Sequence, residues 1–170
     1  NVENGKPSNS KLAAYDASGE NFHGPRTAIE QLPSTSEWRN VSLTSNVRSI
    51  IAQDGTNSTT GGSLPSNFSY SGKAARLLTT QEINKACNIT VGTATPGELD
   101  SCNYLMENTK YSNANIANWG YWLENPHSGI SDFAWFVHGY TRNVDHGTVS
   151  YAGGLGVRPA IEVLKSNISY

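Results

Sequence analysis

A chain of 170 residues is long enough to form one domain of ordinary size. Its net charge of -2 argues against a nucleic-acid partner, because no basic surface is available to bind phosphates. Only 15% of the residues are charged, and no run of about 18 apolar residues occurs, so the sequence predicts a polar surface and no membrane insertion.

The N-terminal part of the sequence predicts a flexible lead-in, a first strand and a short helix. Residues 1–10 are mainly Asn, Gly, Pro and Ser, which is typical of a flexible segment, and we assign residues 11–170 to one domain. Residues 11–17 predict the strand. Residues 24–32 predict the helix, since a proline stands in the first turn, apolar residues share one face and Pro33 ends it.

The clearest local signal is a strand followed by a helix in the middle of the chain. Residues 74–78 form a short apolar run that predicts a strand. Thr79 stands three residues before Glu82, which is the spacing of a capping box, so a helix is predicted to begin there. Ile83 and Ala86 provide its inner face.

The two cysteines, Cys87 and Cys102, leave two alternatives open. They form either a disulfide, which the chain-entropy model values at roughly 3 kcal/mol for a loop of this size, or a pair of unpaired thiols. A zinc site is not indicated, because no C-x-x-C pair or paired histidine spacing accompanies them.

The C-terminal third predicts four short strands separated by Gly, Pro, Asn, Asp and Ser. The strands are assigned to residues 120–126, 132–139, 147–153 and 156–164. Two short helices followed by small antiparallel sheets give an α+β fold. The segment GYTRNVDHGT, residues 139–148, is predicted to be an exposed hairpin or loop, because it contains a single aliphatic residue.

Several motifs resemble those of a known family when they are taken in order. They are SGENFHGPRTAIEQL (18–32), KAARLLTTQEI (73–83), GYWLENP (120–126), AWFVHG (134–139) and GVRPAIEVLKSNI (156–168). Their order and spacing resemble the variable proteins of diversity-generating retroelements, in the formylglycine-generating-enzyme-like branch of the C-type lectin fold. The resemblance covers nearly the whole chain.

The resemblance implies a display domain that binds a protein or glycan ligand on another cell or on a phage host. The binding surface would lie within residues 121–151, and the protein would be extracellular, on a cell surface or part of a phage virion. Some family members carry an N-terminal pilin-like helix and are exported, and the start of this chain at Asn1 fits the removal of such a helix. Neither catalysis nor a cofactor is implied.

The candidate binding residues combine large aromatic area with directed hydrogen bonds, which is the mixture that binding surfaces favour. Strand alternation places Phe133 and Trp135 on one side of their strand and His138 on the other, and the resemblance suggests all three for display. Core packing is the alternative for each aromatic residue, and we prefer it for Trp119 and Trp122. The candidate ligand-binding set is Phe133, Trp135, His138, Tyr140, Arg142, Asn143, Asp145, His146, Ser150 and Tyr151.

Arg158 and Pro159 are predicted to be a structural anchor. A proline lacks the backbone donor of a sheet ladder and is tolerated at a strand start or bulge. The five guanidinium donors of Arg158 suit neighbouring carbonyls or a carboxylate, so we expect the residue to fix the end of the binding segment. An exposed arginine beside an edge proline is the alternative.

Three other functions are weighed against ligand display. A catalytic triad from His146 with Asp145 or Asp132 is disfavoured, because sequence neighbours rarely form such a unit and no G-x-S-x-G motif occurs. A calcium-dependent lectin would have to gather six to eight oxygens, and only Glu124, Asn125 and the two aspartates are at hand. A pilin-type structural subunit is the third alternative.

Overall fold

The computed structural model describes four parts of the chain, which are residues 12–56, 67–102, 104–105 and 120–167. Within these residues two α-helices and two small sheets form, so the α+β class is confirmed. The predicted lead-in 1–10 and the core position of Trp119 lie outside the described residues. The elements are α1 (Arg26–Glu30), α2 (Thr80–Cys87), β1 (Val47–Ser49), β2 (Asn67–Ser69), β3 (Gly120–Pro126), β4 (Phe133–His138), β5 (Asn143–Thr148) and β6 (Leu155–Gly156).

The capping box predicted at the start of α2 is confirmed. The side chain of Thr79 accepts a hydrogen bond from the N–H of Glu82 (3.1 Å), and the Glu82 carboxylate accepts one from the N–H of Thr79 (2.9 Å). Such a cap stabilises a helix by about 1 kcal/mol. Ile83 is buried as predicted, but Ala86 is exposed. Cys87 takes the inner position instead, because residues four apart share one helix face.

Helix α1 lies within the predicted segment 24–32 and is shorter than that segment. Pro25 directly precedes it, and Ala28 and Ile29 are buried in the core. The predicted strand at residues 11–17 is wrong, because residues 12–17 form no regular strand. That segment instead donates single backbone hydrogen bonds to the carbonyls beside β5 and in β6.

A four-stranded sheet with the order β5-β4-β3-β6 is the centre of the fold. The pairs β3–β4 and β4–β5 are antiparallel, whereas β3 and β6 are parallel, so the expectation of purely antiparallel sheets is wrong there. β1 and β2 form a separate antiparallel pair. The register of β3 against β4 shifts between Trp122 and Pro126, which places an irregularity in β3.

Residues 139–148, predicted to be an exposed hairpin or loop, form the turn and second strand of the β4–β5 hairpin. The predicted exposure is wrong from Asn143 onward, where β5 begins with two buried residues. Val144 is the one aliphatic residue of this segment. It pairs with Val137 of β4 and is fully buried in the core. The strand predicted at 147–153 lies nearer the N-terminus, at Asn143–Thr148.

Two other predicted strands are much shorter than expected, and of the segment 156–164 only Gly156 belongs to a strand, β6. The segments 74–78 and 156–164 meet at an isolated antiparallel bridge between Arg76 and Ala160. The chain leaves the four-stranded sheet after Gly156, and we name residues 157–164 the closing segment. Past Pro159 its large apolar side chains are exposed rather than buried. These are Ile161, Val163 and Leu164.

Both faces of the four-stranded sheet are covered, which explains why β4 is apolar from Phe133 to Val137. The predicted alternation along β4 is confirmed by two core clusters. Phe136 packs into the first cluster, and Trp135 and Val137 pack into the second cluster. Trp122 is buried in the first cluster, as predicted. That cluster also contains α1, β2 and the N-terminal segment, whereas the second contains α2 and the cysteines.

Arg158 makes the carbonyl contacts of an anchor, although not with the expected partner. Its guanidinium donates to the backbone carbonyls of Tyr104 (3.3 Å) and Leu105, and it lies 5.4 Å from the ring centroid of Tyr121. Pro159 follows β6 outside the paired residues, where its missing N–H breaks no ladder bond. Arg158 therefore ties the closing segment to residues 104–105 rather than to the segment that precedes β6.

Glu162 fixes the rest of the closing segment. Its carboxylate accepts hydrogen bonds from the backbone of Thr44 (2.7 Å), from Arg76 (2.9 Å) and from Arg48. Burial by itself would raise the pKa of Glu162, but these donors lower it to about 2. The ionised carboxylate thus joins the closing segment to β1 and to the segment before α2.

Candidate ligand-binding site

The turn between β4 and β5, residues 139–142, is a partly exposed part of the predicted binding segment, and we name it the hairpin tip. Tyr140 lies in it with 79% of its surface exposed. Arg142 is also exposed, and its backbone has a φ of 53°, in the left-handed region that a non-glycine residue rarely adopts. Both side chains point away from the core clusters and therefore carry little of the folding energy.

The hairpin tip is held by a second segment, residues 94–102, which we name the clamp. The N–H of Gly97 donates to the carbonyl of Thr141 (2.9 Å), and the N–H of Leu99 donates to that of Arg142 (3.0 Å). These backbone bonds do not depend on the side chains that the tip carries. The tip is therefore supported in a way that tolerates a change of its side chains.

Asn143 and Glu98 add side-chain contacts to the same support. The Asn143 amide donates to the carbonyl of Ala94 (2.9 Å) and accepts from the hydroxyl of Thr141. The Glu98 carboxylate accepts from the N–H of Val144 (2.8 Å). Asn143 is only 2% exposed, so its predicted place on the binding surface is wrong, and it supports the tip from inside.

A disulfide between Cys87 and Cys102 connects the clamp to α2. Both cysteines are buried, with 6% and 1% exposure, against the second core cluster. The bond settles the alternative between a disulfide and two thiols. It also gives the clamp a covalent tie to the most regular helix of the domain.

Arg142 contacts the clamp through its side chain as well. Its Nε lies 3.2 Å from a carboxylate oxygen of Asp100, and about half of each side chain is exposed to solvent. An exposed pair of this kind contributes roughly 0 to 1 kcal/mol, so it orients Arg142 more than it stabilises the fold.

Trp135 does not lie on the binding surface, in contrast to the prediction. It is 1% exposed, stacks on His127 with 5.4 Å between the ring centroids, and meets His146 edge to face at 5.0 Å. Phe133 is half-buried beside His146 at 5.5 Å. Trp135 packs in the second core cluster because the face of β4 that carries it is covered. The sequence of β4 alone does not reveal that this face is covered.

The remaining predicted residues are distributed over both ends of the hairpin. Ser150 and Tyr151 are exposed in the turn that follows β5. Because Phe133 pairs with Thr148, that turn lies at the opposite end of β4 from the hairpin tip, about 17 Å away by strand rise. Asp145 is half-buried within β5. The ten predicted residues therefore do not form a single surface, and the hairpin tip brings together two of them.

His138 lies at the base of the hairpin tip and is half-buried rather than displayed. Its Nδ1 accepts hydrogen bonds from the N–H groups of Tyr140 and Thr141, both at 3.2 Å. Burial lowers the pKa of His138, and the nearby carboxylate of Asp145 opposes that shift. The imidazole thus acts as a cap for the turn.

Sequence reasoning missed the clamp entirely. Gly97, Glu98 and Asp100 lie about forty residues before the tip, in a segment whose regular structure is limited to a short 3-10 helix at Asp100–Cys102. The one available signal is the cysteine spacing, because a disulfide at Cys102 would hold this segment against a helix.

The alternative functions fit the geometry less well. The carboxylate of Glu124 accepts from Tyr70 (2.9 Å), and Asn125 is 3% exposed with its amide oxygen bound to the N–H of Thr80, so neither side chain faces a cation. Among the described residues no group of three or more potential ligands could hold a metal ion. Asp145 accepts from the backbone N–H of His146, and the Nδ1 of His146 has no hydrogen-bond partner among the described residues.

A cleft of about 540 Å³ lies between α1 and β2, with His23, Arg26 and Phe68 in its lining. Its charged residues Arg26 and Glu30 are exposed to solvent, and His23 is already paired with the buried carboxylate of Asp16 at 2.9 Å. In the described part of the chain, none of its lining residues has a buried polar atom that lacks a partner. The cleft therefore offers no group that calls for a ligand.

The described helices are all too short and too polar to cross a membrane. Comparison with known proteins gives no family assignment: no family model matches the chain, and neither a curated protein nor a solved structure matches it.

Proposed function

We propose that this chain is a ligand-binding display domain, which binds a protein or glycan on another surface through its hairpin tip. The observation that carries the proposal is the contrast within the tip. Tyr140 is 79% exposed, while its backbone N–H is bound to His138 and the carbonyls of Thr141 and Arg142 are bound to the clamp.

A supported turn is well suited to binding. A ligand that meets an ordered turn does not have to order it first, so less of the interaction energy is lost to entropy. Tyrosine offers a large rigid contact with one polar group, and arginine adds directed donors. Tyr140 and Arg142 therefore supply the aromatic and charged contacts that commonly dominate binding energy.

We further propose the C-type lectin fold and membership of the retroelement-diversified variable proteins. The sequence resemblance is the basis, and the α+β arrangement and the contacts of Arg158 are compatible with it. Diversification requires positions whose side chains change without unfolding the domain. The exposed side chains of Tyr140 and Arg142 meet this requirement, except that the φ of 53° at residue 142 disfavours β-branched residues there. The disulfide of Cys87 and Cys102 supports an extracellular location, because disulfides persist in oxidising environments.

Binding of the fluorescently labelled domain to a panel of intact bacterial strains, measured by flow cytometry, tests the proposal. We expect Tyr140→Ala combined with Arg142→Ala to reduce binding to a recognised strain by roughly tenfold or more. Trp38→Ala is the matched control, because Trp38 is an exposed aromatic residue outside the binding segment. If the double variant binds like the wild type, or the control loses binding equally, the tip is not the site.

Genomic sequence tests the diversification itself. We expect a near-copy of the codons for residues 120–151, which differs mainly where the copy has adenine and lies beside a reverse transcriptase gene. A locus without such a copy would contradict the assignment to diversified proteins and leave the binding proposal standing.

A further inference from the structure

We infer that His138 is a positioning residue for the hairpin tip, and that its protonation releases the tip and weakens binding in acid. The effect on binding rests on the proposed function, whereas the effect on the turn does not. The inference depends on which ring nitrogen faces the turn and on what surrounds the imidazole.

The contacts of Nδ1 define the tautomer of His138. The N–H groups of Tyr140 and Thr141 both point to this nitrogen at 3.2 Å, so it must present its lone pair to them. In the neutral ring the proton then lies on Nε2. One imidazole nitrogen thus accepts from two consecutive residues of the tip, a role that asparagine and aspartate side chains often have in turns.

Protonation removes this arrangement. The imidazolium carries a proton on both nitrogens, so Nδ1 becomes a donor that faces two other donors. Both hydrogen bonds are lost together, and the N–H groups of Tyr140 and Thr141 have to turn towards water. The bond from the N–H of Arg142 to the carbonyl of His138 (3.0 Å) remains, so the hairpin persists while its tip loosens.

The surroundings of His138 set the direction of its titration. The ring of Phe136 lies 5.7 Å away, and on β5 the carboxylate of Asp145 is the charged group that favours protonation. The charge of Arg142 is directed to Asp100 on the clamp. Burial is the largest influence, and it lowers the pKa of His138 below its ordinary value of 6.5.

The sign of the pH dependence follows from this lowered pKa. Above about pH 6.5 the ring is neutral in both the folded and unfolded chain, and the turn keeps its two bonds. As the pH falls from there through the lower pKa of the folded state, the unfolded chain binds the proton more readily and the stabilisation is lost. The tip should therefore be ordered at neutral pH and loosened in acid.

Two variants separate positioning from a merely structural role. In His138→Asn the side-chain oxygen accepts from the same turn but does not titrate, so we expect an ordered tip at every pH. In His138→Phe the ring volume is kept and the acceptor is removed, so we expect a loosened tip at every pH. In the wild type alone the tip should change with pH.

Nuclear magnetic resonance of the full chain between about pH 8 and about pH 4 provides the readout. We expect the amide signals of Tyr140 and Thr141 to move with the Nδ1 signal of His138, with roughly tenfold lower protection from exchange in acid. His127→Gln is the control, because the pKa of His127 is also lowered but the residue lies outside the tip. In this variant the amide signals of Tyr140 and Thr141 should still change with pH as in the wild type.

Wild-type amide signals that do not change with His138, or a His138→Asn variant that loosens in acid like the wild type, would overturn the inference. Binding of the domain to a recognised bacterial strain, measured at both pH values, separates a failure of the inference about His138 from a failure of the proposed function. A tip that titrates without affecting binding places the ligand elsewhere, whereas a tip that binds without titrating leaves the proposed function and removes the role of His138.

Discussion

Replacement of Trp135 by alanine should unfold the domain far more readily than replacement of Tyr140. Trp135 is 1% exposed, whereas Tyr140 is 79% exposed, although the two residues lie five positions apart in the segment predicted to bind. The comparison therefore separates support from display within one hairpin.

The expected magnitude follows from burial. Truncation of a buried tryptophan to alanine costs about 3 to 5 kcal/mol, and here the cavity also removes the stacking partner of His127 and the edge contact of His146. For a domain of this size that corresponds to a fall in Tm of about 6 to 20 °C. Tyr140→Ala should change the free energy of unfolding by no more than about 0.5 kcal/mol.

Thermal unfolding followed by near-ultraviolet circular dichroism measures both variants. Trp135→Phe is the matched control, since it keeps an aromatic ring in the second core cluster and should lose roughly half as much stability as Trp135→Ala. Equal Tm values for Trp135→Ala and Tyr140→Ala would refute the reasoning, because they would show that the indole does not fill the core.

The remaining predictions concern the closing segment and the clamp. Glu162→Gln should destabilise the domain by about 1 kcal/mol at neutral pH, with solvent screening allowed for, and urea unfolding should show this difference. The pKa of Glu162 is lowered to about 2, so its contribution to stability is present above about pH 4.5 and is lost as the pH falls towards about 2. The stability of the variant should therefore converge with that of the wild type in acid. Reduction of the disulfide between Cys87 and Cys102 should lower the free energy of unfolding by roughly 3 kcal/mol and increase amide exchange at Leu99. A reduced protein with an unchanged urea midpoint would contradict this prediction.

Local signals predicted the helices well because their causes lie within a few residues. The capping box of α2 depends on Thr79 and Glu82 alone, and the two are three positions apart. The strand β5 was missed for the opposite reason. Val144 becomes a core residue only because Val137 of β4 lies opposite it, and that pairing is not visible in the composition of the segment.

The candidate site shows the same limit. Alternation correctly placed Trp135 and Phe136 on opposite faces of β4. Which face is exposed to solvent depends on elements that are distant in sequence, and here both faces are covered. The exposure of Tyr140 followed from its turn-like surroundings. The clamp did not, because Gly97 and Leu99 contact the tip through backbone groups that every residue possesses.

A display-library measurement tests most directly whether support and display are separate. One library randomises residues 140 and 142, with proline and β-branched residues left out at 142 because its φ is 53°. A matched library randomises residues 135 and 143, and the fraction of clones that resist proteolysis reports folding. We predict that most clones of the first library resist like the wild type and few of the second do. Equal losses in the two libraries would contradict a binding surface whose side chains are free to vary on a fixed support.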